Sequence, residues 1–164
     1  MKFLKEIIPY IIIIIVAILI RTFIVTPVQV DGESMYPTLD NNEILLLKKY
    51  DRSYERFDIV VFNYNNSKLV KRIIGLPGEY VEYKENELYI NNVKIDFELD
   101  TYTYDFKLSE LGFKQIPDDY YLVLGDNRTN SIDSRRIGLI PKEDILGTTT
   151  FSIFPFNKFG KIDN

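Results

Sequence analysis

The chain reads as mainly β: an N-terminal transmembrane helix followed by a single, mostly antiparallel β domain. Three observations predict this. An uninterrupted apolar run of 14 residues, Ile7–Ile20, lies near the start. Beyond Pro27 the apolar residues fall in short runs of period two, the spacing of a strand rather than of a helix. Twelve tyrosines and eleven phenylalanines against eight glycines favour pleated strands over a long helical array. The 164 residues, 46% of them hydrophobic, suffice for one folded domain and an anchor.

The anchor is the first element. Ile7 to Val25 spans 19 residues with Arg21 as its one charge. As a helix that is roughly 29 Å, the thickness of a bilayer core. Arg21 can snorkel toward the far interface, and Pro9 is expected in the first turn, where a missing N–H costs little. Lys2, Lys5 and the α-amino group precede the run, which puts the N-terminus in the cytoplasm. The expected organisation is therefore a cytoplasmic stretch 1–6, a span 7–25 through the lipid bilayer, and an extracytoplasmic domain 26–164. A cleavable signal peptide and a buried core helix are the rival readings. No small-x-small pair follows in "TFIVTPVQ", which counts against the first.

The domain follows in order. "EILLLKKY" and "FDIVVFNY" read as strands. "KLVKRIIGLPGEYVEY" gives strand, turn and strand, with Pro77 and Gly78 suited to the centre of a type II turn. "ELYINNVKI" is a hairpin about Asn91–Asn92, both tolerant of positive φ. Residues 98–117 are acidic, tyrosine-rich and irregular, an excursion from the main sheet. "YYLVL" is a further strand, "PKEDI" one helical turn, and "TTTFSIF" a last strand. The aromatic "FSIFPFNKF" reads as sheet core, with lipid contact as the alternative.

Composition excludes several functions. A net charge of −4 argues against nucleic acid, which needs clustered cations. The absence of cysteine and histidine removes disulfides, thiolate sites and the commonest metal ligand, so neither a metal nor another cofactor is expected. "GESMYPTLD", from Gly32, nevertheless presents a serine in a Pro-Thr turn. A serine nucleophile needs a base, and without imidazole the choices are a carboxylate, a lysine or a metal-bound hydroxide. A lysine serves only if burial brings its pKa from about 10.4 to near neutral, which the fold must support with roughly 4 kcal/mol. One cation stands among apolar residues. In "KLVKRIIG", alternation places Leu69, Lys71 and Ile73 on one face and Val70, Arg72 and Ile74 on the other. The bland readings are a turn serine at Ser34, an edge-strand lysine at Lys71, and an Asx-turn loop in "GDNRTNSIDSRRIG".

The ordered set of an N-terminal anchor, "GESMYPTL", "RFDIVVF", "VKRIIGLPGE" and "GDNRTNSIDSRRIGLIP" resembles the bacterial type I signal peptidases of the Gram-positive type. The likeness spans nearly the whole chain. It implies a membrane-bound serine endopeptidase that removes signal peptides from exported preproteins at the cell membrane. Ser34 would be nucleophile and Lys71 general base. Ser131 would hydrogen-bond the lysine, Asp133 and Arg135 would brace the site, and Asp126 and Arg128 match the opening of that motif. The Ser34 N–H would donate to the oxyanion, with Gly32 standing where some relatives carry a second, hydroxyl donor. Val28, Val30, Met35, Leu69 and Val70 match positions that line shallow pockets for an Ala-x-Ala-like substrate. A monomer is expected. A peptidase dedicated to one client, or an inactive anchored module that binds signal sequences, are the alternatives. Self-cleaving Ser–Lys repressors carry a DNA-binding domain where this chain has its apolar run.

Overall fold

A lone apolar helix leads into two antiparallel sheets. The structure is a computed structural model describing residues 2–50, 52–97 and 99–162. Met1 of the expected cytoplasmic stretch, Glu98 of the irregular segment, and residues 163–164 of the expected domain lie outside the described residues. Helix α1 (Lys2–Leu19) continues into a π-helical turn, Ile20–Ile24. Glu6–Ile24 is long and apolar enough to cross a membrane, and none of it is buried against the domain. Pro9 departs from expectation. The helix starts at Lys2, so Pro9 lies two turns inside it and leaves the Lys5 carbonyl without its usual N–H partner.

The apolar run also ends sooner than its composition implies. Strand β1 (Val25–Gln29) begins at the last residue assigned to the span. It pairs with β2 (Ile44–Lys48) from Val25 to Gln29, and Pro27 fits because β1 is an edge strand. The π turn is tied down by the Lys49 N–H donating to the Ile24 carbonyl and by Thr26 Oγ1 donating to the Arg21 carbonyl.

Strands β3 (Ile59–Tyr64) and β4 (Ser67–Gly75) form a hairpin through Asn65 and Asn66, both at positive φ. The expected turn follows: Gly78 has φ +80°, and the Glu79 N–H donates to the Leu76 carbonyl. Then come β5 (Val81–Lys84), β6 (Glu87–Ile90) and β7 (Val93–Ile95), the last two joined through Asn91–Asn92 as expected. Strand β8 (Phe106–Lys107) lies within the irregular segment. Beyond it are β9 (Tyr120–Leu124), a four-residue helix α2 (Ser134–Ile137), β10 (Ile140–Pro141), β11 (Ile145–Phe154) and β12 (Gly160–Lys161).

The larger sheet runs β1-β2-β11-β3-β4-β9-β10 with β12 on β11, and the smaller runs β7-β6-β5-β8. All pairings are antiparallel, as expected. Residues 98–117 are less of an excursion than their composition implies. Phe106, Leu108 and Ile116 are buried against Val81 and Leu88 and supply the small sheet's core. The C-terminal aromatics meet the core reading only in part. Phe151–Phe154 close β11 with Ser152 buried, and the chain returns as β12 to pair with Phe151 and Ser152, but Phe154, Phe156 and Phe159 are exposed.

Strand β4 positions the site because three apolar clusters meet along it. Val70 packs with Val28, Met35 and Val61. Leu69 and Ile73 pack with Val60, Phe62 and Val123, while Ile74 packs with the small sheet. In register, Lys71 pairs with Val60 and Arg72 with Ile59. The alternation expected of "LVKRII" is thus realised, with Lys71 on the Leu69–Ile73 side.

Candidate active site

The turn between β1 and β2 carries the serine. Gly32 adopts φ +94°, a conformation that favours glycine, and its N–H donates to Asn41 Oδ1 at 3.0 Å. The Tyr36 N–H then donates to the Glu33 carbonyl, and the Leu39 N–H to the Met35 carbonyl. Met35 and Leu39 are fully buried on either side of the turn. Ser34 lies between the Gly32–Asn41 bond and the Met35 anchor, with its side chain half-buried.

Lys71 reaches it from β4. Its Nζ stands 2.7 Å from Ser34 Oγ and donates to the Val70 carbonyl at 2.7 Å. Lys71 is only 2% exposed. Burial lowers its pKa to about 8 from 10.5, while the charges of Asp133 and Asp126 work against the fall. The amine is therefore half neutral near pH 8, where a free lysine is still charged, and the neutral form's lone pair can accept the Ser34 proton.

The loop after β9 packs against both residues. A Cβ at Gly125 would lie 2.3 Å from Ser131 Oγ and 2.5 Å from the Ser34 carbonyl oxygen, so only glycine fits there. Burial works to raise the Asp133 pKa, but the Arg135 guanidinium and the Gly125 N–H outweigh it and hold the carboxyl below the usual range. Arg135 Nη2 lies 2.7 Å from Asp133 Oδ2 and also donates to the Arg128 carbonyl at 2.8 Å. Arg72 grips Asp126 through Nε at 3.0 Å and Nη2 at 2.8 Å, with both side chains buried. Arg128 turns its Nη1 to Tyr83 Oη and Thr103 Oγ1, tying the loop to the small sheet. A cavity of about 320 Å³ there is lined by Tyr83, Leu88 and Arg128, and includes neither Ser34 nor Lys71.

Three expectations need correction. Ser131 is buried, but its Oγ makes no hydrogen bond, so the expected contact with Lys71 is not formed. The Val70 carbonyl takes that place, although the hydroxyl is near enough to Asp133 to help hold its carboxyl low. The Gly32 N–H, at the position expected to serve the oxyanion, is instead given to Asn41. Of the five pocket positions, Val28, Val30, Met35 and Val70 share one apolar cluster; Leu69 packs in another, since neighbouring strand residues face opposite ways. The sequence reading missed Asn127, whose N–H donates to the Ser34 carbonyl at 3.0 Å and whose Nδ2 donates to the Glu33 carbonyl at 3.1 Å. Its place in "GDNR" beside Asp126 was the available signal.

A serine hydroxyl bonded to a desolvated amine, on an antiparallel β scaffold with an apolar N-terminal helix, has the makings of a histidine-free hydrolase. The family model described as signal peptidase, peptidase S26, matches residues 3–154, and the chain belongs to that family of peptidases. It is 44% identical to signal peptidase I S of Bacillus subtilis over 163 residues, 90% of this chain and 87% of that protein. It is also 44% identical to a signal peptidase I of Bacillus amyloliquefaciens, over 92% of this chain and 88% of the relative. The crystal structure of a signal peptidase I from Enterococcus faecalis superposes with a TM-score of 0.54 at 37% identity, covering 58% of this chain and 96% of that one.

Proposed function

We propose that this peptidase cleaves signal peptides from exported preproteins with a Ser34–Lys71 dyad, after an Ala-x-Ala-like site. The observation that carries the reading is the 2.7 Å contact between a half-buried hydroxyl and an amine whose pKa burial lowers to about 8. Ser34 Oγ attacks the scissile carbonyl carbon, forming a C–O bond as its proton passes to Lys71 Nζ. The Ser34 N–H donates to the oxyanion that develops. Collapse breaks the C–N bond, and Lys71 returns the proton to the departing amine. Water then attacks the acyl carbon while Lys71 takes its proton. The C–O bond to Ser34 breaks, and the serine oxygen is reprotonated.

The neighbours have supporting roles. Ser131, buried beside Gly125, would accept the lysine's remaining N–H during the reaction. Asp133 with Arg135 and Asp126 with Arg72 brace the loop and the strand. The cluster of Val28, Val30, Met35 and Val70 offers an apolar wall that favours small side chains before the cut, with Leu69 on the lysine's side of the strand.

The same reading gives the chain its place. Residues 7–24 span the cell membrane, 1–6 lie in the cytoplasm with Lys2 and Lys5, and the catalytic domain, which opens with β1 at Val25, works as a monomer on the outer side. Anchoring confines enzyme and membrane-held substrate to one surface. The test uses the purified full chain and an Ala-x-Ala preprotein. Ser34→Ala and Lys71→Ala are each expected to lose cleavage by several orders of magnitude while remaining folded. Persistent cutting by either variant overturns the dyad.

A further inference from the structure

Asn127 touches the nucleophile's backbone twice, and the two contacts together aim a bond. Its side-chain Nδ2 donates to the Glu33 carbonyl at 3.1 Å, and its main-chain N–H donates to the Ser34 carbonyl at 3.0 Å. These acceptors belong to the two peptide planes that flank the Ser34 Cα. The 33–34 peptide is trans, so the Glu33 C=O and the Ser34 N–H point in opposite directions across one rigid plane. Fixing the carbonyl therefore fixes the N–H. Holding the next plane through the Ser34 carbonyl leaves the φ and ψ of Ser34 little freedom.

The clamp is itself held. Asn127 Oδ1 accepts from the Asn130 N–H at 3.2 Å and from Thr129 Oγ1 at 3.3 Å, which orients the amide so that Nδ2 faces Glu33. Next to it in sequence, Asp126 is locked to Arg72 on the strand that carries Lys71. The loop thereby relates the serine turn to the lysine strand through one residue's backbone and side chain. With the Gly32 N–H committed to Asn41, the Ser34 N–H gains importance as an oxyanion donor, and so does its direction.

We propose that Asn127 is a positioning residue that aims the Ser34 N–H at the oxyanion. The proposal rests on the dyad reading above and adds a residue to it. Misdirecting a donor weakens only the charge that forms in the transition state, so kcat should fall while KM holds.

The experiment compares full-length wild type, Asn127→Ala, Asn127→Asp and Ser34→Ala. All are assayed on the alkaline plateau, where Lys71 is deprotonated, using an Ala-x-Ala preprotein. A peptide aldehyde ending in Ala-x-alaninal is the second probe. Ser34 Oγ adds to its carbonyl, the proton goes to Lys71, and the carbonyl oxygen becomes an oxyanion. Asn127→Asp keeps the Oδ1 acceptor for Asn130 and Thr129 but exchanges the Nδ2 donor for a charged oxygen, so a wild-type kcat in it still overturns the role if Asn127→Ala, which adds no charge, folds poorly. The expected result is a kcat reduced about tenfold to a hundredfold in both variants, with KM within about twofold. Aldehyde affinity should weaken by the same factor as kcat. Wild-type kcat in Asn127→Asp, or a kcat loss with unchanged aldehyde affinity, overturns the role of Asn127. Cleavage by Ser34→Ala overturns the underlying dyad instead, so the two failures are separable.

Discussion

Lys71 and Arg72 are neighbours on β4, both almost wholly buried, and the fold handles them in opposite ways. Arg72 faces the side of Ile59 and meets a carboxylate in a forked grip, Nε and Nη2 on Asp126, with a further bond from Nη1 to the Phe57 carbonyl. Lys71 faces the side of Val60 and meets a hydroxyl and a carbonyl. Among the described residues it forms no ion pair. A guanidinium stays charged at any working pH and suits a permanent brace, whereas an amine can be driven neutral by desolvation. One cation is compensated and structural. Its neighbour has no ion-pair partner among the described residues, the condition the proposed base needs.

The comparison is broken most directly at the braced side. Asp126→Asn would leave the Arg72 charge buried without its counter-ion, a situation that costs about 3–5 kcal/mol. Urea unfolding of the purified chain should show a loss of that order. An unchanged midpoint would mean that Arg72 does not depend on Asp126, and the contrast with Lys71 would lose one of its halves.

The unbraced side should respond with the opposite sign. A fall from 10.5 to about 8 corresponds to about 3 kcal/mol spent on holding the amine dry. Lys71→Met removes that cost along with the activity, so at pH 7 the variant should unfold later by up to about 3 kcal/mol. Below pH 8 the wild-type amine is protonated in folded and unfolded chains alike, and the full cost is present. Between 8 and 10.5 the unfolded chain holds the extra proton, so wild-type stability climbs with pH and the variant's advantage shrinks to nothing. A variant equal to wild type at pH 7 would mean that Lys71 is not under strain.

How far this contrast could be read beforehand depended on the kind of physics involved. Alternation along "LVKRII" is a property of any strand, so the opposite faces of Lys71 and Arg72 were legible from spacing alone. The contact between Ser34 and Lys71 was not, because 37 positions of chain separate them; it rested on a resemblance. Hydrogen-bond partners were less legible still. Lys71 donates to its own strand neighbour's carbonyl at Val70 and not to the Ser131 hydroxyl, a choice of side-chain conformation that residue spacing does not encode. The join between helix and sheet was hidden because Val25 and Thr26 extend an apolar run without any change of composition. The small sheet escaped because strands of two to four residues look the same whichever sheet they enter. Pro9 was misplaced for a related reason, as the helix reaches back into charged sequence that hydropathy alone does not claim.

The finest adjustment concerns how the two sides of the strand speak to each other. Asp133 and Asp126 both raise the Lys71 pKa against burial, so the carboxylates that brace the site also blunt its base. Wild-type kcat should rise with pH through about 8 and then level off. Asp133→Asn removes one opposing charge while keeping a side-chain oxygen for the Gly125 N–H. The midpoint should move below 8 by less than one pH unit, worth less than about 1.4 kcal/mol. A pH–kcat profile for each enzyme measures it. An upward move would mean that the carboxylate's chief service is to keep water from the amine, because only rehydration raises a lysine pKa when a negative charge is taken away. Burial would then be something Asp133 helps to maintain, and the uncompensated state of Lys71 would belong to the whole loop rather than to the lysine's place on the strand.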